Sequence, residues 1–246
     1  MRIMIPWEGE RSGGRFSIRE WDIAPERTAL LVLDLQRGYV EREMGIGPRI
    51  QAKFPDVSEY YYPRMERTVV PNVVRLQDFF RARGVQIIYT RMGLQLPDGR
   101  DVADWSWRSQ HTSGEYADLF AKSTPEHDLI AKLSPTANDL TLDKNSVSPF
   151  SSTAIDQILR NMGVENLIIA GATTNAAVET TARDAGDRGY CPIVVEDGVA
   201  AYLADDHDGA MKTSTWWVAK RTQDIVDLFE PFLKEGTLVS RIATSV

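Results

Sequence analysis

The stretch Thr28-Ala29-Leu30-Leu31-Val32-Leu33-Asp34 decides the fold, because it is an unbroken apolar run that ends in an acidic residue. A continuous apolar run of this length is typical of a strand that is buried on both faces of a sheet. Comparable runs follow at residues 85–90 (VQIIYT), 166–171 (NLIIAG) and 191–196 (CPIVVE), with a weaker, alternating strand at 139–144 (DLTLDK). These segments predict the strands of one sheet.

Segments with helical periodicity lie between the predicted strands. In residues 151–162, the side chains of Ile155, Ile158, Leu159 and Met162 fall on one face of a helix. Further helices are predicted at 69–83, 176–188, 206–219 and 222–234. Strands that alternate with helices imply right-handed crossovers between parallel strands. The predicted fold class is therefore α/β, a three-layer α-β-α arrangement with a mainly parallel, doubly wound central sheet.

One domain is predicted over residues 1–246, with an N-terminal extension over about residues 1–25. Long connections, rich in glycine, proline and aromatic residues, are predicted at 41–64 and 92–127. Connections of that length are usually functional, and here they predict lids or oligomer contacts, with a surface excursion without chemistry as the open alternative. We expect a homo-oligomer, either a dimer or a tetramer.

The composition argues against several classes of function. Lys and Arg number 28 against 35 Asp and Glu, so the formal net charge is −7, which speaks against a nucleic-acid partner. The apolar runs are far shorter than the roughly 20 residues that cross a bilayer, and the N-terminus lacks the apolar core of a secretory signal. We therefore expect a cytoplasmic protein without a membrane partner. The single cysteine, Cys191, excludes an intrachain disulfide, and its position at the start of a strand predicts a small core residue.

Charged and small residues stand at the carboxyl ends of the predicted strands, where ligands bind in open parallel sheets. Asp34 ends the first strand, and Lys144 ends the third. A close pair would keep both groups charged and could manage a proton or hold a developing anion, with a purely structural ion pair as the open alternative. The run GATTNAAVETTARD at 171–184 leads from a strand through a turn into a helix. The first amides of such a helix can bind an oxyanion, whereas the phosphate-loop lysine and the dinucleotide fingerprint are absent.

Three motifs together resemble the isochorismatase-like cysteine hydrolases. They are TALLVLDLQRGY at 28–39, a strand-end lysine followed by SPFSST at 148–153, and GATTNAAVETTARDA at 171–185. The resemblance spans roughly residues 26–235, and the motifs occur in the expected order. In the amidase branch of that family, an aspartate, a lysine and a cysteine form the catalytic triad. Carried over, these positions are Asp34, Lys144 and Ala177, because the family pattern TTNxCVETT becomes TTNAAVETT here.

Ala177 leaves three explanations open. A methyl group cannot attack a carbonyl, so the chain as written should not form an acyl-enzyme. In the first, Ala177 replaces the nucleophilic cysteine in an inactivated variant. In the second, the chain belongs with the vinyl-ether-cleaving isochorismatases, some of which work without the cysteine. In the third, it is a binding protein without activity. The flanking residues TTN at 173–175 and VETT at 178–181 resemble the amidases and favour the first explanation.

The resemblance also implies a mechanism for the form that carries cysteine. Asp34 would accept the thiol proton, and Lys144 would hold the thiolate and the carboxylate in place. The backbone N–H groups of Thr173 and Ala177 would form the oxyanion hole, and a cis peptide is implied between Ala172 and Thr173. The stretch WRSQ at 107–110 resembles biuret and ureidoacrylate amidohydrolases. The implied function is hydrolysis of a C–N bond in a small amide, ureido or carbamoyl compound through a thioester.

Six side chains are predicted to bind the substrate, namely Gln36, Tyr39, Arg91, Trp107, Phe150 and Thr174. Arg91 could pair with a substrate carboxylate in a bidentate contact, with a surface role as the alternative. Phe150 could instead pack under its own helix. Trp107, with its neighbours Trp105 and Arg108, is predicted to close over the site.

No cofactor and no metal are expected. Related nicotinamidases carry a metal on an Asp-x-His motif with another histidine. The histidines here, His111, His127 and His207, are dispersed and lack that motif. His111 lies near Trp107 in sequence, where it could contact the substrate or could simply be exposed.

Overall fold

A computed structural model describes residues 3–5, 21–102, 120–213 and 217–234. Its strands are β1 (Ile3–Ile5), β2 (Trp21–Ile23), β3 (Thr28–Leu33), β4 (Gln86–Met92), β5 (Leu140–Lys144), β6 (Asn166–Ala172), β7 (Cys191–Ala200) and β8 (Val218–Lys220). Strands β1 and β2 pair as an antiparallel ribbon. The other six form one parallel sheet in the order β5-β4-β3-β6-β7-β8. The prediction of a mainly parallel central sheet is confirmed.

Helices separate most strands of the central sheet, whereas the described residues between β4 and β5 contain only a 3-10 turn. The helices are α1 (Arg37–Val40), α2 (Gly47–Lys53), α3 (Pro55–Arg64), α4 (Val70–Arg81), α5 (Pro149–Ser152), α6 (Ile155–Asn161), α7 (Glu179–Asp187), α8 (Ala204–Thr213) and α9 (Thr222–Phe229). A π-helical turn, Met65–Val69, leads into α4, and a second, Thr174–Val178, leads into α7. Short 3-10 turns span Pro25–Arg27 and Pro125–His127.

Strand β3 supplies both hydrophobic cores from alternate positions. Leu30 and Val32 pack in the core that also contains residues of α3, α4 and α9. Leu31 and Leu33 pack in the core on the opposite face, with residues of α6 and α7. Since successive side chains of a strand point to opposite faces, an apolar residue is needed at every position, and all six residues of β3 are buried. This explains the unbroken apolar run and produces the three-layer arrangement.

Residues 41–64 are not a long connection, which corrects the prediction. Most of the segment is helical, in α2 and α3. Pro48 and Pro55 each lie in the first turn of a helix, where the missing N–H is tolerated, so these prolines begin helices rather than interrupt them. Tyr61 and Tyr62 are buried in the core, which explains the aromatic content of the segment.

Three predicted helices differ from those observed, and the one predicted at 222–234 is α9, which ends at Phe229. The helix predicted at 206–219 is α8, which ends at Thr213, and Val218 belongs to strand β8 instead. The helix predicted at 151–162 is divided into α5 and α6. Ser148 Oγ accepts from Phe150 N at the start of α5, and Thr153 Oγ1 accepts from Ile155 N, 3.1 Å away, at the start of α6. Each helix therefore has its own polar residue at its beginning.

The predicted connection at 92–127 falls partly outside the described residues, because 103–119 are not described. Of its described part, Leu94 and Ala121 form a short parallel bridge. Within the described residues, no helix combines the length and apolar character required to span a membrane.

Candidate active site

The acid and the lysine at the strand ends form an ion pair. Asp34 follows β3, and Lys144 is the last residue of β5. Lys144 Nζ lies 2.7 Å from Asp34 Oδ2, and both side chains are almost completely buried. Thr90, on the intervening strand β4, donates from Oγ1 to Asp34 Oδ1 over 2.6 Å. The adjacency of β5, β4 and β3 therefore brings together groups that are 110 residues apart in sequence (144 − 34).

The contacts of Lys144 fix the position of its ammonium group. Besides Asp34, Nζ donates to the carbonyl oxygens of Ser146 (3.1 Å) and Val147 (3.0 Å). An ammonium has three donors and no acceptor, and these three oxygens, with Met92 Sδ as a fourth neighbour at 3.6 Å, provide an acceptor for every N–H group. Lys144 can therefore hold the Asp34 carboxylate in place and contribute a positive charge to the site, but its hydrogens are already engaged.

Asp34 adopts an uncommon backbone conformation. Its φ is +53°, in the left-handed region that aspartate tolerates better than most residues. Its N–H donates to Thr90 O over 3.2 Å. The chain turns at this residue as it leaves β3, and the carboxylate lies in the wall of a cavity.

The turn after β6 brings the third position to the same cavity. Gly171 has a φ of +121°, and the peptide bond between Ala172 and Thr173 is cis, as the resemblance implies. Thr173 O accepts from the N–H groups of Ala176 and Val178, each over 3.2 Å. The π-helical turn that follows contains Ala177, which is buried and lines the cavity.

The cavity has a volume of about 520 Å³ between the described residues. Its wall combines the ion pair, two tyrosines, one further cation and one further carboxylate with a majority of apolar side chains. The lining residues are Asp34, Tyr39, Ile46, Arg49, Ile50, Phe54, Val57, Met92, Lys144, Val147, Ala172, Thr173, Ala176, Ala177, Tyr202, Leu203 and Asp206. All three positions that correspond to the family triad therefore lie in the wall of one cavity.

Of the predicted substrate-binding residues that the structure describes, Tyr39 lines this cavity. Burial raises the pKa of its hydroxyl well above the ordinary value, with the nearby Tyr202 and Asp34 adding to the shift. Tyr39 therefore stays a neutral phenol at physiological pH. Its ring stacks on Phe120 with the centroids 4.2 Å apart, which fixes its orientation at the cavity wall.

Gln36 and Arg91 do not line the cavity, and their polar groups contact other protein atoms. Gln36 is fully buried, and its amide bonds to the backbone N and O of Met92 and to the carbonyl of His127. Arg91 Nε donates to Asp143 Oδ1 over 2.7 Å. Gln36 thus links the end of β4 to the 3-10 turn at His127, and Arg91 links β4 to β5.

Phe150 and Thr174 also lie outside the cavity wall. Phe150 is buried in the core, with the Arg188 guanidinium 4.9 Å from its ring centroid. Its side chain therefore packs against other residues of the protein, which was the alternative to substrate binding. Thr174 is fully buried and interacts with a histidine. The predicted contributions of Trp107, with Trp105, Arg108 and His111, fall in 103–119 and so outside the described residues.

A hydrogen-bonded chain supports the turn that carries Ala177. Arg64, at the end of α3, donates from Nη2 to the backbone oxygen of Val199 (3.1 Å) and lies 3.1 Å from His207 Nε2. His207 Nδ1 in turn lies 3.0 Å from Thr174 Oγ1. Because arginine is only a donor, Nε2 must accept, and the ring proton is on Nδ1, where it can be donated to Thr174. Helices α3 and α8 are thus connected to the turn beside the cavity.

The remaining histidine and the cysteine lie away from this site. His127 is fully buried, and burial, with Arg91 nearby, lowers its pKa. Burial raises the pKa of the Cys191 thiol to about 12, and this residue starts β7, at the edge of the sheet opposite the cavity. Among the described residues, no three His, Cys, Asp or Glu side chains are grouped as metal ligands would be.

Sequence reasoning missed one side of the cavity. Ile46, Arg49, Ile50, Phe54 and Val57 come from α2, α3 and the residues beside them. This segment was expected to be a connection, although its apolar residues at 46, 50, 54 and 57 have helical spacing, and that spacing was the available signal. Leu203 and Asp206 were missed because β7 runs four residues beyond its predicted end, from 196 to Ala200.

Comparison with known proteins identifies the family. The family model of the isochorismatase domain matches residues 28–223. The ureidoacrylate amidohydrolase RutB of Acinetobacter baylyi is 30% identical over 223 residues, which cover 85% of this chain and 86% of that protein. A cysteine hydrolase from Pseudomonas syringae pv. phaseolicola 1448A has a similar structure, with a TM-score of 0.72, 26% identity, and coverage of 86% of this chain and 96% of that one. The N-carbamoylsarcosine amidase of Thermoplasma acidophilum shares the fold at 24% identity and a TM-score of 0.60, over 80% of this chain and 96% of that one.

Proposed function

The chain belongs to the isochorismatase domain family, and on that premise we propose that its cavity is the site of an amidohydrolase for C–N bonds of small amide, ureido or carbamoyl compounds. The observation that carries the proposal is the presence of the Asp34–Lys144 ion pair and Ala177 in the wall of one cavity. The similarity to an amidohydrolase at 30% identity supports it. The chain with Ala177 is the inactive counterpart of an enzyme with cysteine at that position.

In the cysteine form, Asp34 acts as the base. Its carboxylate accepts the thiol proton, and the thiolate attacks the carbonyl carbon of the substrate to form a C–S bond and a tetrahedral oxyanion. Position 177 lies four residues into the π-helical turn that continues into α7, and the N-terminal part of a helix, with the ammonium of Lys144 nearby, favours a thiolate. The amides of residues 173 and 177 hold the oxyanion.

The leaving amine or ammonia takes the proton from Asp34 as the C–N bond breaks. Water then adds to the thioester, and its proton passes to Asp34. As the second tetrahedral species collapses, the C–S bond breaks, a carboxylic or carbamic acid is released, and Asp34 returns the proton to the thiolate to regenerate the thiol. Lys144 gives up no proton in either half, because its N–H groups stay on Asp34, Ser146 O and Val147 O. Its part is to hold the carboxylate beside residue 177.

A vinyl-ether hydrolase of the isochorismatase type is the second candidate, since Ala177 offers no nucleophile and such a reaction needs only a proton donor. Asp34 would have to be that donor. However, its two oxygens accept from a lysine ammonium and a threonine hydroxyl, contacts that suit an ionised carboxylate, the form with which the amidohydrolase reaction starts. The geometry therefore favours the amidohydrolase. A binding protein without activity is the third possibility.

The test restores the nucleophile by Ala177→Cys and measures ammonia release from ureidoacrylate, N-carbamoyl amino acids, biuret and primary amides. The matched control is Ala176→Cys, because Ala176 also lines the cavity but is not the residue that matches the family cysteine. We expect ammonia only from Ala177→Cys, and a loss of about 10²–10⁴-fold when Asp34→Asn is added.

Other outcomes select the alternatives. Pyruvate release from isochorismate by the unaltered chain would establish the vinyl-ether hydrolase. Equal activity of Ala176→Cys and Ala177→Cys would show that position 177 is not special. Substrate binding without turnover by either cysteine variant, with the fold retained, would identify a binding protein.

A further inference from the structure

Exposed apolar side chains are concentrated at the cavity. In the described part of the chain, the large hydrophobic side chains that are exposed are Phe54 (53%), Leu203 (43%), Val147 (42%) and Leu96 (37%). Phe54, Leu203 and Val147 all line the cavity, whereas Leu96 does not. Single exposed apolar residues are ordinary, but a contiguous group at a concave site marks a binding surface.

The exposed group continues into the cavity as one apolar wall, which we define as Ile46, Ile50, Phe54, Val57 and Leu203. Ile46 and Phe54 flank α2, Ile50 lies within it, and Val57 lies in the first turn of α3. Ile50 is buried in the core below, and Ile46 and Val57 pack against that core. The part of the apolar wall from residues 46–57 is thus continuous with the hydrophobic core.

Backbone contacts fix the apolar wall in place. Ile46 N donates to Gly38 O over 3.2 Å. A Cβ on Gly45 would lie 2.5 Å from Gly38 Cα, and one on Gly47 would lie 2.1 Å from Arg42 O. Only glycine permits such close approach of two backbone segments. The start of α2 is therefore held against α1, and the apolar wall is preformed.

We propose that the apolar wall binds an alkyl or aryl substituent of the substrate, so that the compounds that fit this cavity are N-substituted ureas or amides with a hydrophobic group. This rests on the proposed function for the reacting end of the substrate. A urea or amide group alone occupies a small part of about 520 Å³, a volume in the range of pockets that hold much larger ligands. The reacting group lies at the Asp34–Lys144 pair, and the apolar substituent covers Phe54 and Leu203.

The test measures binding to the unaltered chain, which has Ala177 and does not consume the ligand. Methylurea, butylurea, hexylurea and benzylurea are titrated by calorimetry. We expect the dissociation constant to fall about two- to fourfold for each added methylene, as burial of an apolar group requires.

Two variants and a matched control locate the effect. Phe54→Ser and Leu203→Ser are expected to weaken hexylurea binding about threefold to tenfold each, since each removes apolar contact surface, and to leave methylurea binding unchanged. Leu96→Ser removes a comparably exposed side chain outside the cavity. We expect it to change neither the affinity for hexylurea nor the affinity for methylurea. Affinity that is independent of chain length, or an equal effect of Leu96→Ser, would overturn the proposal. A change of molecular mass in solution on Phe54→Ser would also overturn it, because the apolar wall would then be an interface between copies.

The results separate this inference from the proposed function. Chain-length-dependent binding together with no ammonia release by Ala177→Cys would remove the amidohydrolase and keep the apolar subsite. Ammonia release from methylurea and hexylurea with equal kcat/KM, without chain-length-dependent binding, would keep the amidohydrolase and remove the apolar subsite.

Discussion

Asp34 Oδ2 and Lys144 Nζ lie 2.7 Å apart in side chains that are 6% and 1% exposed. An ion pair removed from water in this way loses the favourable free energy of hydration, and hydrogen bonds to well-placed partners must replace it. Thr90 Oγ1 supplies a second donor to the carboxylate, and the carbonyls of Ser146 and Val147 supply acceptors to the ammonium. The pair is thus satisfied as a unit, and each member depends on the other.

Removal of one partner should therefore be costly. Lys144→Met leaves the Asp34 carboxylate buried beside a thioether, and we expect the free energy of unfolding to fall by about 3–5 kcal/mol. The double variant with Asp34→Asn should recover part of this loss, because the uncompensated charge is gone. Urea denaturation of the single and double variants measures both values, and a single variant within about 1 kcal/mol of the unaltered chain would contradict the expectation.

Gly171 and Gly209 should respond in opposite directions to alanine. A Cβ on Gly171 would lie 2.0 Å from Leu33 O, at a φ of +121°, so Gly171→Ala should destabilise by at least about 2 kcal/mol. Gly209 lies within α8 with nothing within 4 Å of an added Cβ, and Gly209→Ala should stabilise by about 0.5–1 kcal/mol. Thermal and urea unfolding of the two variants measure the change in stability that each substitution causes. Similar effects of both substitutions would show that the close approach of β6 to β3 is not what selects glycine.

Thiol reactivity should distinguish positions 177 and 191. Burial raises the pKa of Cys191 to about 12, so almost none of it is thiolate at pH 8, and thiolate is the reactive form. The unaltered chain should react slowly with a disulfide reagent, whereas Ala177→Cys should add one rapidly reacting equivalent. Ala177→Cys combined with Cys191→Ala is the control that assigns the fast thiol. Rapid reaction of the unaltered native chain would show that Cys191 is not protected.

The tautomer of His207 is a further prediction that requires no activity. Arg64 can only donate, so His207 Nε2 should be unprotonated and the ring hydrogen should be on Nδ1, facing Thr174. Nitrogen chemical shifts of ¹⁵N-labelled histidine report this directly, and His207→Asn assigns the signal. An Nε2–H tautomer would mean that the chain from Arg64 to Thr174 is not formed as described.

His127 should make the fold sensitive to acid. Burial lowers its pKa from the ordinary 6.5, and neither ring nitrogen has a hydrogen-bond partner among the described residues. The unfolded chain binds a proton here at about pH 6.5, whereas the folded chain does so only at lower pH, so the stability falls as pH decreases below about 6.5.

The variant His127→Leu removes this titration. We expect its free energy of unfolding to decrease less between pH 7.5 and pH 5 than that of the unaltered chain, as measured by urea denaturation at both values. An equal decrease in both proteins would assign the acid sensitivity to other groups.

The apolar runs predicted the fold because a strand covered on both faces has no polar position. Every residue of β3 is buried, and a sequence signal of that kind needs no knowledge of distant contacts. The segment at 41–64 was mispredicted for the opposite reason. Pro48 and Pro55 are favourable in first turns, whereas Pro63 lies inside α3. Tyr61 and Tyr62 are buried in the core, so local preference was ambiguous until packing selected helices.

By itself, the sequence determined the alternation of strands and helices, the charged residues at the strand ends, and the absence of a thiol at position 177. Periodicity and residue chemistry are local properties, and they can be identified along the chain. The tertiary structure decided that Lys144 meets Asp34, that Gln36 and Arg91 bond to protein atoms while Phe150 packs in the core, and that α2, α3 and the residues beside them supply most of the apolar wall. These depend on strand order and on how far each strand runs, because a side chain two residues beyond a strand end can face the cavity or the core according to the turn it enters.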